Sequence, residues 1–256
     1  MQKNIKLPII EFMGFCMHAA TMQETIETIM ERIEQSFFTQ HVVVNVAKLV
    51  NMKTDSSLRE SVTSCDIINI DGMGVVLGAR LCGNYVPERV AGIDLFLALV
   101  KEAAQRKLPV FFLGAREVVV AEMVRRLLDL HPGLVLAGYH HGYFWDNEED
   151  VINKIRASQA VMLFVAITSP KKENFINRWK DQLGVQFVMG VGGSFDVVAG
   201  KTKRAPLFLQ KAGLEWLYRV WQEPRRMWKR YLITNSKYLA MLLRELLAAH
   251  SRWRRF

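Results

Sequence analysis

The sequence predicts an α/β fold, a mostly parallel sheet with helices on both faces, followed by a basic helical appendage at the C-terminus. Three observations carry that prediction. Short runs rich in Val, Ile and Phe recur before Gly200, each bounded by Gly, Asp, Asn or Pro. A strand covered on both faces needs such an unbroken apolar run, because neither face meets water. Stretches of helical period separate the runs, and strand alternating with helix is the pattern of a parallel sheet. After Gly200 the strands stop and the charge changes sign.

Taken in order, Pro8–Phe15 reads as a peripheral strand or hairpin, and Thr21–Gln35 as a helix opening on a Thr cap. The buried strands are expected at His41–Asn45, Asp66–Ile70, Pro109–Leu113, Leu134–Gly138, Ala160–Ala166 and Val185–Met189. Gly92–Lys107 carries Leu95, Leu99 and Ala103 at helical spacing, and Glu117–Leu130 places Val120, Val124, Leu127 and Leu128 on one face. Pro206–Trp221 reads as one or two short helices. Arg225–Ala249 then forms a long one, with Pro224 suited to a helix start. Its apolar stripe comprises Trp228, Tyr231, Leu232, Leu239, Leu242, Leu243 and Leu246. The boundary falls near residue 200, dividing the chain into residues 1–200 and 201–256.

With 256 residues, half of them apolar, the chain can bury a sizeable core, which excludes a disordered or fibrous protein. Cys16, Cys65 and Cys82 are scattered without CxxC spacing and are expected to be reduced, buried thiols. Lys3 and Lys6 are not followed by a continuous apolar segment, so no signal peptide is expected. No apolar run approaches the roughly 20 residues of a spanning helix. Residues 201–256 hold 14 Lys and Arg against 3 Asp and Glu, whereas the rest of the chain holds 20 against 22. Four of the six tryptophans also lie in that tail. Chemistry in one part and docking to an anionic partner in the other is the division this implies.

Ligands of open α/β sheets bind beyond the carboxyl ends of the strands, so the residues there are the candidates. Asp71 directly follows a strand and reads either as a general base or as the cap of the next helix. Asn45 reads as a ligand-orienting amide or a turn residue. Gly190-Val-Gly-Gly-Ser-Phe-Asp196 is a glycine-rich turn that could bring N–H groups to a diphosphate or serve as a plain tight connection. It lacks the features of a dinucleotide fingerprint. Arg89 could clamp a phosphate, or pair on the surface with Glu88. His140-His141 reads as a loop with two exposed imidazoles, since no second cluster sits at metal spacing. The absence of an Asp-x-Asp pair removes the usual carboxylates for a catalytic divalent ion, so a diphosphate leaving group would rely on Arg, Lys and N–H donors.

In order along the chain stand Asn45, Asp71-Gly72-Met-Gly-Val-Val76, Glu88-Arg89-Val-Ala-Gly92, Leu113-Gly114 and Gly138-Tyr-His-His-Gly142-Tyr-Phe144. They are followed by Ser169-Pro-Lys-Lys-Glu173, the 190–196 turn, Arg204-Ala-Pro206, Gly213-Leu-Glu-Trp-Leu-Tyr-Arg219 and Glu223-Pro-Arg-Arg226. From about Val42 to Arg230 this set resembles the WecG/TagA/CpsF glycosyltransferases, glycosyltransferase family 26.

The resemblance implies a Rossmann-like catalytic domain, residues 1–200, and a membrane-docking appendage, residues 201–256. The implied reaction is an inverting, metal-independent transfer from a UDP-sugar to a sugar on polyprenyl diphosphate, in bacterial exopolysaccharide or cell-surface polysaccharide synthesis. No cofactor is implied, because the UDP-sugar is a substrate. The implied base is Asp71. Substrate contacts fall on Asn45, Arg89, Lys172, Glu173, Gly192, Gly193, Asp196, Arg219, Arg225 and Arg226, with Arg230 a further appendage arginine. The expected location is the cytoplasm, peripheral on the inner face of an anionic plasma membrane, with self-association left open. Three departures stand out: Val43 where many members have Thr, Lys172 where Gln is frequent, and no glycines around Ala166–Thr168. They fall in the expected acceptor and sugar pocket.

Two other classes share parts of this pattern. A nucleotide- or nucleic-acid-binding protein without transferase activity would use the basic tail on phosphates, but tryptophans interleaved with an apolar stripe suit a bilayer interface better. Nucleic acid is therefore not the expected partner. A nucleotide-dependent oxidoreductase would need the fingerprint that is missing early in the chain.

Overall fold

The computed structural model describes residues 5–253, with the side chains of Lys211, Arg226, Arg230 and residues 248–253 outside the described set. The chain opens with a hairpin, β1 (Ile9–Phe12) and β2 (Phe15–His18), whose Met13-Gly14 turn has both residues at positive φ, as a two-residue hairpin turn requires. Helix α1 (Met22–Glu34) follows, its Thr21 cap and Glu24 forming a reciprocal capping box. Then come β3 (Thr39–Val44), α2 (Val46–Met52), α3 (Ser56–Thr63), β4 (Ile67–Ile70), α4 (Met73–Leu81) and α5 (Gly92–Arg106). The sheet is completed by β5 (Pro109–Gly114), α6 (Glu117–Leu130), β6 (Val135–His140), α7 (Glu148–Ala157), β7 (Met162–Ala166), α8 (Lys171–Trp179) and β8 (Phe187–Gly190). The rest is helical: α9 (Ser194–Val198), α10 (Leu207–Lys211), α11 (Glu215–Gln222) and α12 (Pro224–Trp253).

Eight strands make one sheet in the order β1-β2-β4-β3-β8-β7-β5-β6. Every pairing is parallel except the opening hairpin. Side chains alternate across such a sheet, and the core divides accordingly. Phe112 and Phe164 point to the face packed by α1, α5 and α6, where Phe96 meets both rings edge-on. Phe111, Leu113, Leu163 and Val165 point to the other face, beneath α7 and α8. Val42, Val44, Ile68 and Ile70 continue that second face beneath α2 and α4.

The strand predicted at Leu134–Gly138 differs from expectation. It is the edge strand β6, half-buried rather than enclosed, because nothing pairs beyond it among the described residues. The cysteines are free, as expected, but not buried: Cys16 is exposed and the other two are half-buried.

Helix α12 packs along α2 by a face that overlaps the stripe read from the sequence only in part, at Leu242. Tyr238 is 5 % exposed within the core lining β3 and β4, and its Oη donates to Gly74 O at 2.6 Å. Gly78 makes room for it, since a Cβ there would stand 2.1 Å from that oxygen. Met241 and Leu242 pack beside Tyr238. Much of the predicted stripe, namely Trp228, Leu232, Leu239 and Leu243, faces outward together with Leu247.

Candidate active site

The carboxyl ends of β3, β4 and β8 lie side by side, and three of the candidate positions follow them directly. Asn45 caps α2, its Oδ1 accepting from Lys48 N at 3.0 Å. The cap uses only the oxygen, and the exposed residue keeps its NH2 donors for a ligand. Asp71 is tied to the neighbouring strand through its N–H, which donates to Val44 O at 2.9 Å. It is not the helix cap: Gly72 holds that position in α4, with no side-chain cap at all. The carboxylate is thereby left to the site.

Its surroundings are built by close approach. The segment before α5 is pinned where Val90 N donates to Ile70 O at 2.9 Å, which sets Arg89 beside the end of β4. Gly92 opens α5 with its N–H bonded to the Asp71 carboxylate. A Cβ at Gly92 would lie 3.2 Å from Val43 Cγ2 and 3.5 Å from Asp71 Oδ2, so a larger residue would press on Val43 beside the acid. Asp71 is half-buried, and loss of water around its carboxyl pushes it up to about 6, even though Arg89, the Gly92 N–H and Arg219 all favour its charge. Glu215 adds to the upward shift.

Arg89 does not pair with Glu88, whose carboxylate accepts from Met22 N instead. Its partner is Glu215 of α11, at 2.8 Å, with both side chains largely buried. Arg204 meets Asp94 in the first turn of α5 through two bonds of 2.6 and 2.7 Å, and its Nε stands 3.8 Å from Glu215. Arg219 is exposed on α11 but close enough for its charge to act on Asp71. Arg225 is exposed at the start of α12, and the side chains of Arg226 and Arg230 lie outside the described residues.

A second charged group lies beneath the glycine turn. Lys48 Nζ is 2.8 Å from Glu173 Oε1 and also donates to Val43 O at 2.8 Å. Lys172 Nζ is 3.4 Å from the same carboxylate oxygen. All three side chains are nearly inaccessible. Burial opposes the charge on Glu173, but Lys48 and Lys172 outweigh it and hold the carboxyl down to about 2. Burial likewise lowers Lys172. The lysine stem crosses Gly190, where a Cβ would stand 2.5 Å from Cδ and Cε, and its Nζ lies 3.8 Å from the Cβ position of Gly192. Two cations share one anion, and the surplus charge arrives at the turn.

Gly192 takes the turn at φ +54, and Gly193 caps the short α9 from an exposed position. Asp196 pairs with Lys201 at 3.4 Å rather than with any member of these two groups. His140 and His141 are half-buried at the end of β6, where His140 Nδ1 contacts His141 O and His141 Nδ1 accepts from Tyr143 N. Among the described residues no group of three or more His, Cys, Asp or Glu could hold a metal ion.

Sequence reasoning gave no role to Lys48, Glu215, Arg204 or Asp94, although Arg204 and Glu215 stand within the motifs it quoted. Lys48 had a signal, a lone cation on a helix otherwise burying Leu49, Val50 and Met52. The other three come together only in the tertiary structure.

An acid and an arginine thus stand together at the strand ends, with basic helices folded beside them. Residues 10–252 match the Glycosyl transferase WecG/TagA/CpsF family. The chain belongs to that family. It is a glycosyltransferase. A Bacillus spizizenii protein named N-acetylglucosaminyldiphosphoundecaprenol N-acetyl-beta-D-mannosaminyltransferase is 42 % identical over 182 residues, 71 % of this chain and 70 % of that protein. A Bacillus subtilis protein of the same name is 35 % identical over 191 residues, 75 % of this chain and 73 % of its own length.

The buried lysine pair makes Glu173 indispensable to the local fold. Glu173→Gln strands two ammonium groups, and a loss of about 3–5 kcal/mol in urea unfolding at pH 7 is expected. Adding Lys172→Met to that variant should recover part of it. Because the Glu173 carboxyl is held below its ordinary 4.5, its contribution is present above that pH and fades as pH falls towards about 2.

Proposed function

We propose that this chain transfers an N-acetylmannosaminyl residue from its UDP derivative to N-acetylglucosamine on polyprenyl diphosphate, with inversion and without a metal ion. The observation that carries the reading is Asp71, a carboxyl with a pKa near 6 placed at the ligand-binding edge of the sheet. The names of the two Bacillus relatives support the sugar and the acceptor.

Asp71 accepts the proton of the acceptor hydroxyl while that oxygen attacks the anomeric carbon. The bond to the UDP oxygen breaks on the opposite face, and the electron pair leaves with the diphosphate. A base poised near the working pH contributes roughly 10²–10⁴ in rate. The leaving group gains charge as the bond breaks, and Lys172, the glycine-turn N–H groups, Arg89 and Arg219 are the donors that meet it. Asn45 supplies an amide to orient a sugar hydroxyl. Glu173 acts from behind, by holding Lys172 charged.

Location follows from the tail. No helix among the described residues is long and apolar enough to cross a membrane. The exposed Trp216, Trp221, Trp228, Leu232, Leu239 and Leu243 instead suit the headgroup boundary of a bilayer on its cytoplasmic side. Each nearby Lys or Arg adds about 1 kcal/mol at an anionic leaflet. Such docking brings the site to a lipid-linked acceptor that cannot leave the membrane.

Asp71→Asn should keep the fold and UDP affinity while lowering transfer at least ~100-fold. Wild-type kcat/KM should rise with pH and level off above about 6, since the base works only when deprotonated. Excess EDTA should leave the rate unchanged. A raised carboxyl pKa stabilises the fold at low pH, and that stabilisation is lost as pH rises through about 6. Asp71→Asn should therefore unfold at a higher temperature than wild type at pH 7.5, with the advantage vanishing below about pH 4. Transfer near the wild-type rate by this variant would remove Asp71 from the mechanism.

The docking surface makes a separate prediction. Trp228→Ser with Leu232→Ser should abolish flotation with vesicles of anionic phospholipid while sparing activity on a short soluble acceptor. Undiminished flotation would place the membrane contact elsewhere.

A further inference from the structure

We propose that Glu215 is a positioning residue for the transfer, seating α11 on the catalytic group and holding the Arg89 guanidinium beside Asp71. The proposal rests on the reading of Asp71 as the base. Arg89 belongs to a stretch without helix or strand, between α4 and α5. Its backbone neighbourhood is fixed by the Val90–Ile70 bond, but that bond leaves a long side chain free to turn. Among the described residues, Glu215 is the one carboxylate at ion-pair distance from it, 2.8 Å away.

The other oxygen of Glu215 faces a second cation. Arg204 Nε is buried without a hydrogen-bond partner and lies 3.8 Å from Glu215 Oε1, while its two terminal nitrogens grip Asp94. Asp94 stands two residues after Gly92, whose N–H holds the Asp71 carboxylate. One carboxylate thus joins α11 both to the arginine beside the base and to the start of the helix that binds the base.

Charge gives the same group a chemical consequence. The groups facing Asp71 are Arg89 before α5, Arg204 after α9, Lys172 on α8, and Glu215 and Arg219 on α11. Glu215 is the sole anion of that set. Without it Arg89 would be free to fold onto Asp71, and the surplus of cations would make the carboxylate a weaker base.

The test compares wild type, Glu215→Gln, Glu215→Asp and Asp71→Asn as full chains, with a UDP-sugar donor and a short lipid-linked acceptor, from pH 5 to 9. Glu215→Gln is expected to lower kcat ~10-fold or more with donor KM within about 3-fold, a loss confined to the transition state. The acid limb of kcat/KM should move to lower pH, and Glu215→Asp should restore much of both. A purely structural strut would lower the unfolding temperature and leave the limb of the remaining activity where it was. That outcome overturns the proposal, as does a wild-type kcat in Glu215→Gln. If Asp71→Asn is inactive while Glu215→Gln is normal, the Glu215 proposal alone fails. Should Asp71→Asn be fully active, the base assignment fails and takes this proposal with it.

Discussion

Charge removed from water must be matched by charge or by hydrogen bonds, and at the carboxyl edge of this sheet two acids are matched in opposite ways. Glu173 sits between two lysines and stays ionised far below its ordinary range. Asp71 has one backbone N–H and an arginine that is already committed to Glu215, and burial wins. Two carboxylates whose surroundings drive their pKa values apart take different roles: one fixes structure, the other can exchange a proton at neutral pH. The placement of both depends on the parallel sheet, because only the aligned ends of β3, β4 and β8 bring Asn45, Asp71 and the glycine turn to one edge.

The basic tail is joined to that edge by two attachments of different character. Tyr238 fixes α12 by packing and a hydrogen bond to Gly74, in a groove that Gly78 keeps open. Glu215 and Arg204 fix the preceding segment by charge, against Arg89 and Asp94. The first attachment orients the outward apolar face of α12, and the second reaches the surroundings of Asp71. One set of contacts therefore ties the outward apolar face of α12 to the surroundings of Asp71.

Much of this was legible in the sequence. Continuous Val, Ile and Phe runs located β3 to β8, because burial on both faces leaves no other composition. Thr21 marked the start of α1 as its cap. Asp71 and Asn45 could be picked out by position alone, since strand ends are where an open sheet binds ligands. The edge position of β6 was hidden, as an apolar run does not say how many neighbours it has. The anchoring role of Tyr238 in α12 was hidden too, because it faces a groove made by glycines of α4, more than 150 residues away. The one ion-pair partner that the sequence offers Arg89 is its neighbour Glu88, whereas the actual partner comes from α11. Ion pairs between distant segments have no periodicity to betray them.

Everything in this account turns on Asp71 being a carboxyl that is reluctant to ionise. Its titration can be followed directly, by the side-chain carbon resonance of 13C-labelled aspartate in the ligand-free protein, assigned against Asp71→Asn. The account predicts a midpoint near 6, well above the 3.8 of an ordinary aspartate. A midpoint at or below 4 would mean that the carboxylate is fully solvated or tightly paired, and would contradict its role as the base.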